Sequence, residues 1–283
     1  MSDVFLIVDG YPRHSRDEFI ACGSEPAWKL YARMLKRHLP DAEYRVVFPS
    51  DEGASLPDGS GLQGFRGVLW TGCNLTIYDE GDWRVRSMVE LARTVYSAGV
   101  PSFGSCWGLQ IAVVAAGGEV AKNPKGREMG IGRKILLTEQ GRAHPMYRGK
   151  PAVFDGFISH YDEVVRLPAG ARHLAGNEFT RIQAVAVEHE KGTFWATQYH
   201  PEYDLHDMAR LIVARTERLL KEGFFPSQDD LQKYVDLLEQ LWREPERRDL
   251  RWSLAIDDDV LDADRRQIEF RNWLDHCVRD GAR

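Results

Sequence analysis

The chain has 283 residues, 43% of them hydrophobic and 28% charged, with a formal net charge of −6. This length suits one large domain, or one domain with an appendage, and the acidic balance argues against a broad surface for nucleic acid or anionic membranes. Four scattered cysteines, Cys22, Cys73, Cys106 and Cys277, form no CxxC pair, so a disulfide framework and a zinc site are both disfavoured and a reducing, cytoplasmic setting is expected.

The N-terminal run VFLIVDG reads as a buried strand. It is too short for a signal-peptide core and lacks a basic leader, and no segment reaches the roughly 20 apolar residues that span a bilayer. An amphipathic helix through PAWKLYARMLKRHL and a second strand, YRVVFP, follow. The alternation then repeats: FRGVLWTG reads as a strand, DWRVRSMVELARTVYSAG as a helix closed by Gly99, and PSFG as a short strand running into a turn at Cys106. Such an order predicts an α/β fold, a doubly wound, mainly parallel open sheet with helices on both faces.

After the helix LQIAVVAAGG, the stretch GGEVAKNPKGRE has glycines and lysines without phosphate-loop spacing, and is expected to be a basic surface loop. IGRKILLT, AVFDGFISHYDEVVRLP, ARHLAG and IQAVAVEHEKGTFWATQYHP are strand-rich and predict antiparallel additions to the sheet. The helix DLHDMARLIVARTERLLKEG closes a unit over residues 1–222. Residues 223–283 are charged and helical in period, with Leu231, Val235, Leu238 and Trp242 on one face and Ile268, Trp273 and Leu274 later. They predict a helical C-terminal extension packed on the main domain. Docking a partner, covering the site and forming a homodimer stay open for it.

Chemistry centres on Cys106. In GSCWG, Gly104 and Gly108 flank the cysteine as small residues flank the nucleophile in the G-x-S-x-G elbow, a sharp strand-to-helix turn. A thiol there lies at a helix start, where unpaired N–H groups and the helix dipole favour the thiolate. Such a nucleophile needs a base and an orienting group. HPE, at His200 to Glu202, supplies both: the proline holds the preceding residue extended, and residues two apart in extended chain project to the same side. A zinc site on His200 and Glu202 is disfavoured, because neither HExxH nor a cysteine pair joins them. No metal or other cofactor is expected.

These motifs, GSCWGLQ followed by QYHPE, resemble the class I glutamine amidotransferases, whose hallmarks are a G-x-C-x-G-x-Q elbow and a downstream Q-x-H-P-E. TGCNLTIYDEGDW is similar to that family's oxyanion loop, GREMGIGRKILLT to the segment after its nucleophile helix, and SHYDEVVRLPAGARHLAGNE to the glutamine-site strand of its GMP-synthase-like branch. The resemblance covers roughly residues 1 to 222 and implies a flavodoxin-like amidotransferase fold. It implies a triad of Cys106, His200 and Glu202, with oxyanion donors from the backbone of Gly72 and Trp107. Gln110 and the backbone near Tyr161 and Asp162 would hold the glutamine end of the substrate.

The chain departs from many relatives in GCNL, which has no proline after the oxyanion glycine. Cys22, Cys73 and Cys277 read as incidental thiols, and His160 as a positioning residue. Three functions follow as expectations: a glutaminase passing ammonia to a partner synthetase in trans, a stand-alone γ-glutamyl amide hydrolase with the same triad, and a non-catalytic binding or regulatory homologue.

Overall fold

A computed structural model describes residues 3–279. The strands are β1 (Val4–Val8), β2 (Glu43–Val47), β3 (Gly67–Trp70), β4 (Ser102–Ser105), β5 (Glu119–Lys122), β6 (Glu128–Leu137), β7 (Val153–His160), β8 (Asp162–Arg166), β9 (Ala171–Gly176), β10 (Ala184–His189) and β11 (Gly192–Thr197). Nine of them form one sheet in the order β2-β1-β3-β4-β11-β10-β9-β6-β7, and β5 and β8 form a separate pair. Strands β2, β1, β3, β4 and β11 run parallel, and β10, β9, β6 and β7 continue the same sheet antiparallel. The expected α/β architecture with antiparallel additions is the one observed.

The inner parallel strands are covered on both faces, so β1 and β3 read as apolar runs, whereas the edge strand β2, EYRVV, alternates and stays partly exposed. Leu6, Val8, Val68 and Trp70 point to the side covered by the helices Trp83–Ala98 and Trp107–Ala115. Phe5, Ile7, Leu69 and Phe103 point to the other, where Tyr31, Met34 and Leu35 of the helix Ala27–His38 meet them. Helix Trp83–Ala98 starts where the Asp82 carboxylate accepts the Arg84 N–H at 2.9 Å, and stops at Gly99, whose φ of 75° favours glycine.

The fold differs from expectation at four places. A helix at Arg13–Ala21 follows β1 although its sequence has little apolar periodicity. It is held instead by the Arg16 guanidinium, which donates to Tyr11 O at 2.6 Å and to Asp51 at 2.7 Å. GGEVAKNPKGRE is not simply a surface loop: Glu119–Lys122 is strand β5, which pairs antiparallel with β8 and buries Val120 in the core. The single helix expected after Asp204 is broken at Arg215, whose φ of −113° and ψ of 16° separate Leu205–Ala214 from Thr216–Lys221. Trp242 does not join Leu231, Val235 and Leu238 in the core. Leu241 takes that place, and the half-exposed Trp242 ring lies 4.9 Å from His206.

Beyond Gly223, the helix Gln228–Arg243 packs on Leu205–Ala214 through Leu231, Val235 and Leu238. The chain then reaches the face of the sheet that the helix Ala27–His38 covers only in part. There Phe270, Trp273, Leu274 and Val278 complete the core under Phe5 and Phe103, with ring centroids 5.3 Å apart for Phe103 and Phe270. Gly67 is small because a Cβ there would come within 2.7 Å of the Trp273 ring. The last described segment is therefore part of the sheet's packing. Among the described residues no helix is long and apolar enough to cross a membrane.

Trp273→Ala should cost about 3–5 kcal/mol of folding stability, the usual range for emptying a large aromatic site. Trp273→Phe keeps a ring in place and removes an indole N–H that has no partner, so it should cost less than about 1.5 kcal/mol. Urea unfolding of the two variants measures the difference; equal, small losses would contradict this placement of the tail.

Candidate active site

Strand β4 and the helix Trp107–Ala115 meet at Cys106, which has φ 53° and ψ −100°. This is left-handed backbone that non-glycine residues seldom adopt, the strained turn expected of an elbow. It closes because its neighbours lack side chains. A Cβ on Gly104 would lie 2.9 Å from Gly108 Cα, and one on Gly108 would lie 2.9 Å from Trp70 O. The Cys106 N–H donates to Thr197 O at 2.7 Å, tying the turn to the end of β11.

Three residues past that end, His200 is held by its own N–H, which donates to Phe157 O at 2.8 Å. Its Nδ1 donates to Glu202 Oε1 at 2.7 Å, as the extended HPE geometry requires. Both side chains are buried, at 2% and 3% exposure. The opposite nitrogen, Nε2, is buried without a hydrogen-bond partner, and the Cys106 thiol donates to Ser159 O at 3.6 Å. Burial pushes the imidazole toward its neutral form, but the Glu202 charge and the thiol outweigh it, raising His200 from its ordinary 6.5 to about 9.

The same Glu202 oxygen accepts the Ser105 hydroxyl at 2.8 Å, and Tyr31 donates to Ser105 Oγ at 2.8 Å. Tyr203 stacks on the imidazole, with 4.1 Å between centroids and 6° between planes. Tyr199, next in sequence to His200, points into the opposite core. There its hydroxyl donates to Glu269 Oε1 at 2.5 Å, and Lys150 pairs with the same carboxylate at 2.8 Å.

Gly72 lies where the oxyanion loop was expected. A Cβ built on it would be 3.2 Å from His200 Cε1 and 3.9 Å from Cys106 Cβ, so its backbone runs against both. Trp107 is the first residue of the helix, where backbone N–H groups lack intrahelical partners. Gln110, Tyr161 and Asp162 line one open cleft of about 1300 Å³ together with Cys106. Tyr161 is flanked by the Lys122 ammonium at 4.9 Å and the Arg127 guanidinium at 5.3 Å. Asp162 accepts the Tyr78 hydroxyl at 3.0 Å, and burial raises its carboxyl above the usual range.

Both ring nitrogens of His160 are engaged elsewhere: Nδ1 donates to Asp162 O at 2.8 Å, and Nε2 lies 3.0 Å from Glu128. Cys73 borders the cleft, but its thiol donates to Gly10 O at 3.1 Å and burial raises it far above the ordinary range. Burial likewise pushes Cys277 up to about 12. Among the described residues no three His, Cys, Asp or Glu side chains cluster as metal ligands.

The sequence model of the glutamine amidotransferase class-I family matches residues 68–216, more than half of the chain and the stretch that carries this geometry. The chain belongs to the class I glutamine amidotransferase family. It is 33% identical to a γ-glutamyl-L-1-hydroxyisopropylamide hydrolase of a Pseudomonas species, over 96% of this chain and 92% of that protein. It is 31% identical to the GMP synthase of Azoarcus sp. (strain BH72) over 71% of this chain, but spans only 36% of that enzyme. A glutamine amidotransferase structure from Methylobacillus flagellatus shares the fold, with a TM-score of 0.67 at 22% identity, over 97% of this chain and 95% of that one.

Several residues around Cys106 and His200 escaped the sequence reading. Ser105 was visible only as the residue before the cysteine. Tyr31 and Tyr203 belong to apolar helical or turn contexts that signal core, and Arg215 belongs to a helical run. Asp9 also went unnoticed; buried at the end of β1, it accepts the N–H groups of Tyr11 at 3.0 Å and Trp28 at 3.2 Å, and burial raises it to about 6. It fixes the loop that brings the Tyr11 hydroxyl against Gly72.

The raised His200 value has a signed consequence. Its contribution to stability is full below the ordinary 6.5 and is lost as pH rises through about 9. A nitrogen-15 titration of the His200 ring should show a midpoint near 9, and Glu202→Gln should move it down, because the carboxylate's pull is removed while burial still acts. A midpoint unmoved by Glu202→Gln would refute this account of the pair.

Proposed function

We propose that this protein hydrolyses γ-glutamyl amides on its own, with Cys106 as nucleophile, His200 as acid and base, and Glu202 as the group that orients His200. The observation favouring a substituted amide over free glutamine is the end-to-end relation to a γ-glutamyl amide hydrolase, which includes the C-terminal helical segment. The GMP synthase matches account for about a third of those enzymes. On this reading residues 1–222 form the amidotransferase-like unit and residues 223–283 a helical extension, whose described part supplies some of the core.

With His200 near 9, the imidazole carries its proton at neutral pH and is ready to act as an acid. The Cys106 thiolate attacks the γ-carbonyl carbon, and the carbonyl π electrons move onto oxygen. The backbone N–H groups of Gly72 and Trp107 receive that oxyanion; losing one such donor typically costs about a hundredfold to a thousandfold in rate. As the C–N bond breaks, His200 Nε2 gives its proton to the leaving amine. Neutral His200 then takes a proton from water, the hydroxide attacks the γ-glutamyl thioester, and glutamate leaves as the thiolate reforms. Glu202 keeps Nδ1 protonated throughout, so Nε2 is the nitrogen that exchanges protons. Gln110 and the backbone of Tyr161 and Asp162 hold the glutamyl portion.

The second reading, glutamine hydrolysis feeding ammonia to a synthetase in trans, shares every step up to the identity of the leaving amine. Purified protein assayed without partners should cleave γ-glutamyl-1-hydroxyisopropylamide with a higher kcat/KM than glutamine. Cys106→Ala should reduce both activities by at least about 10⁴-fold, the scale seen when a triad member is removed. Glutamine turnover that appears only when a synthetase is added would favour the second reading. Full activity of Cys106→Ala would reject both.

A further inference from the structure

Four cationic side chains line the cleft: Arg127, Arg215, Arg218 and Lys221. Arg127 is occupied, paired with Glu222 at 2.7 Å and stacked on Tyr161. Arg218 and Lys221 stand exposed on the outer turn. Arg215 differs from all three. It sits at the break between Leu205–Ala214 and Thr216–Lys221, which the Thr216 hydroxyl helps fix by donating to Val213 O at 2.8 Å. Its guanidinium donates to Ser159 Oγ. The carbonyl oxygen of that same serine lies 3.6 Å from Cys106 Sγ, so one residue separates the cation from the thiol.

Two neighbours place Arg215 on the His200 side of the cleft. The phenols of Tyr11 and Tyr203 are both pushed up by burial, and the Arg215 charge opposes that push in each. Tyr203 is the ring stacked on His200, and Tyr11 stands against Gly72. Among the described residues no carboxylate lies within 4 Å of the Arg215 guanidinium, although its side chain is partly buried. A guanidinium has five donors in a rigid plane, and one hydroxyl leaves most of that fork unused.

We propose that Arg215 is the carboxylate anchor of this site, binding a carboxylate of the substrate beside the Cys106 thiol. The proposal rests on the reading of the site as a γ-glutamyl amide hydrolase. It adds that substrates are selected by an anionic group, and that the helix break after Ala214 presents the residue that selects them. One chemistry has two sources: the α-carboxylate of the glutamyl portion, or a carboxylate on the leaving amine of a γ-glutamyl dipeptide. Planar, two-point pairing makes arginine the fitting residue for either, and lysine a poor replacement.

Three amides separate these sources. γ-Glutamyl-1-hydroxyisopropylamide carries the α-carboxylate alone, γ-glutamyl-L-alanine adds one on the amine, and the 4-aminobutanoyl amide of the same amino alcohol has neither. Wild type, Arg215→Met and Arg215→Lys are compared by kcat and KM on each. If the α-carboxylate is the ligand, Arg215→Met lowers the preference for the γ-glutamyl over the 4-aminobutanoyl amide by about 10- to 100-fold, mostly through KM. If the ligand is on the amine, the preference for γ-glutamyl-L-alanine over the hydroxyisopropylamide falls instead. Either collapse supports the anchor, and Arg215→Lys should recover only part of the lost preference. Both preferences surviving in an active Arg215→Met enzyme would overturn the anchor alone. A wild-type protein inactive on every amide would overturn the reading of function and the anchor with it.

Discussion

Gly104 and Gly108 press against Trp70 so closely that neither position admits a Cβ, and the geometry of the site depends on that contact. It holds Cys106 in left-handed backbone, a conformation that costs on the order of 1–3 kcal/mol for a residue with a side chain. The strain is held by a fully buried part of the sheet. Strand β4 lies between β3 and β11, and all four of its residues are buried. The central parallel sheet is thus both the core of the fold and the clamp on the thiol.

The buried carboxylate of Glu202 is the second constraint, electrostatic rather than steric. An ion in that position needs partners, and its Oε1 has them in His200 and in Ser105, itself backed by Tyr31, while Oε2 is buried without one. The groups that fix the imidazole therefore come from the elbow, from a helix far earlier in the chain and from the HPE turn. Tyr199 extends the dependence to the far side of the sheet, where Glu269 and Lys150 form a buried ion pair beneath the strand end that leads to His200. Removing either partner would leave an uncompensated buried charge. The C-terminal segment is in this way mechanically continuous with the imidazole, on the opposite face of the sheet.

What was legible in the sequence follows from how local the cause is. Apolar runs bounded by turns marked β1 and β3, because fully covered parallel strands leave no other signature, and the sharp turn at Cys106 marked β4. GSCWG and HPE could be paired because each has a local geometric reason, a tight turn in one and extended backbone in the other. Effects that need a distant partner were not legible. The helix Arg13–Ala21 depends on an arginine reaching Asp51, and strand β5 on the edge offered by β8. Arg215 looked like one more residue of a helical run, since nothing in RTERLL announces the break. Trp242 and Leu241 are adjacent in a helix, and only the position of the neighbouring helix decides which one faces the core.

The central claim is that Cys106 carries the γ-glutamyl group between bond cleavage and hydrolysis. Mixing the enzyme with excess γ-glutamyl-1-hydroxyisopropylamide, quenching in acid within the first turnovers and mapping peptides by mass spectrometry reads that step directly. The account predicts one γ-glutamyl adduct, labile to hydroxylamine as a thioester is, on the peptide containing Cys106, and none on those containing Cys22, Cys73 or Cys277. Amine release with every cysteine peptide unmodified, or an adduct on Cys73 instead, would contradict it.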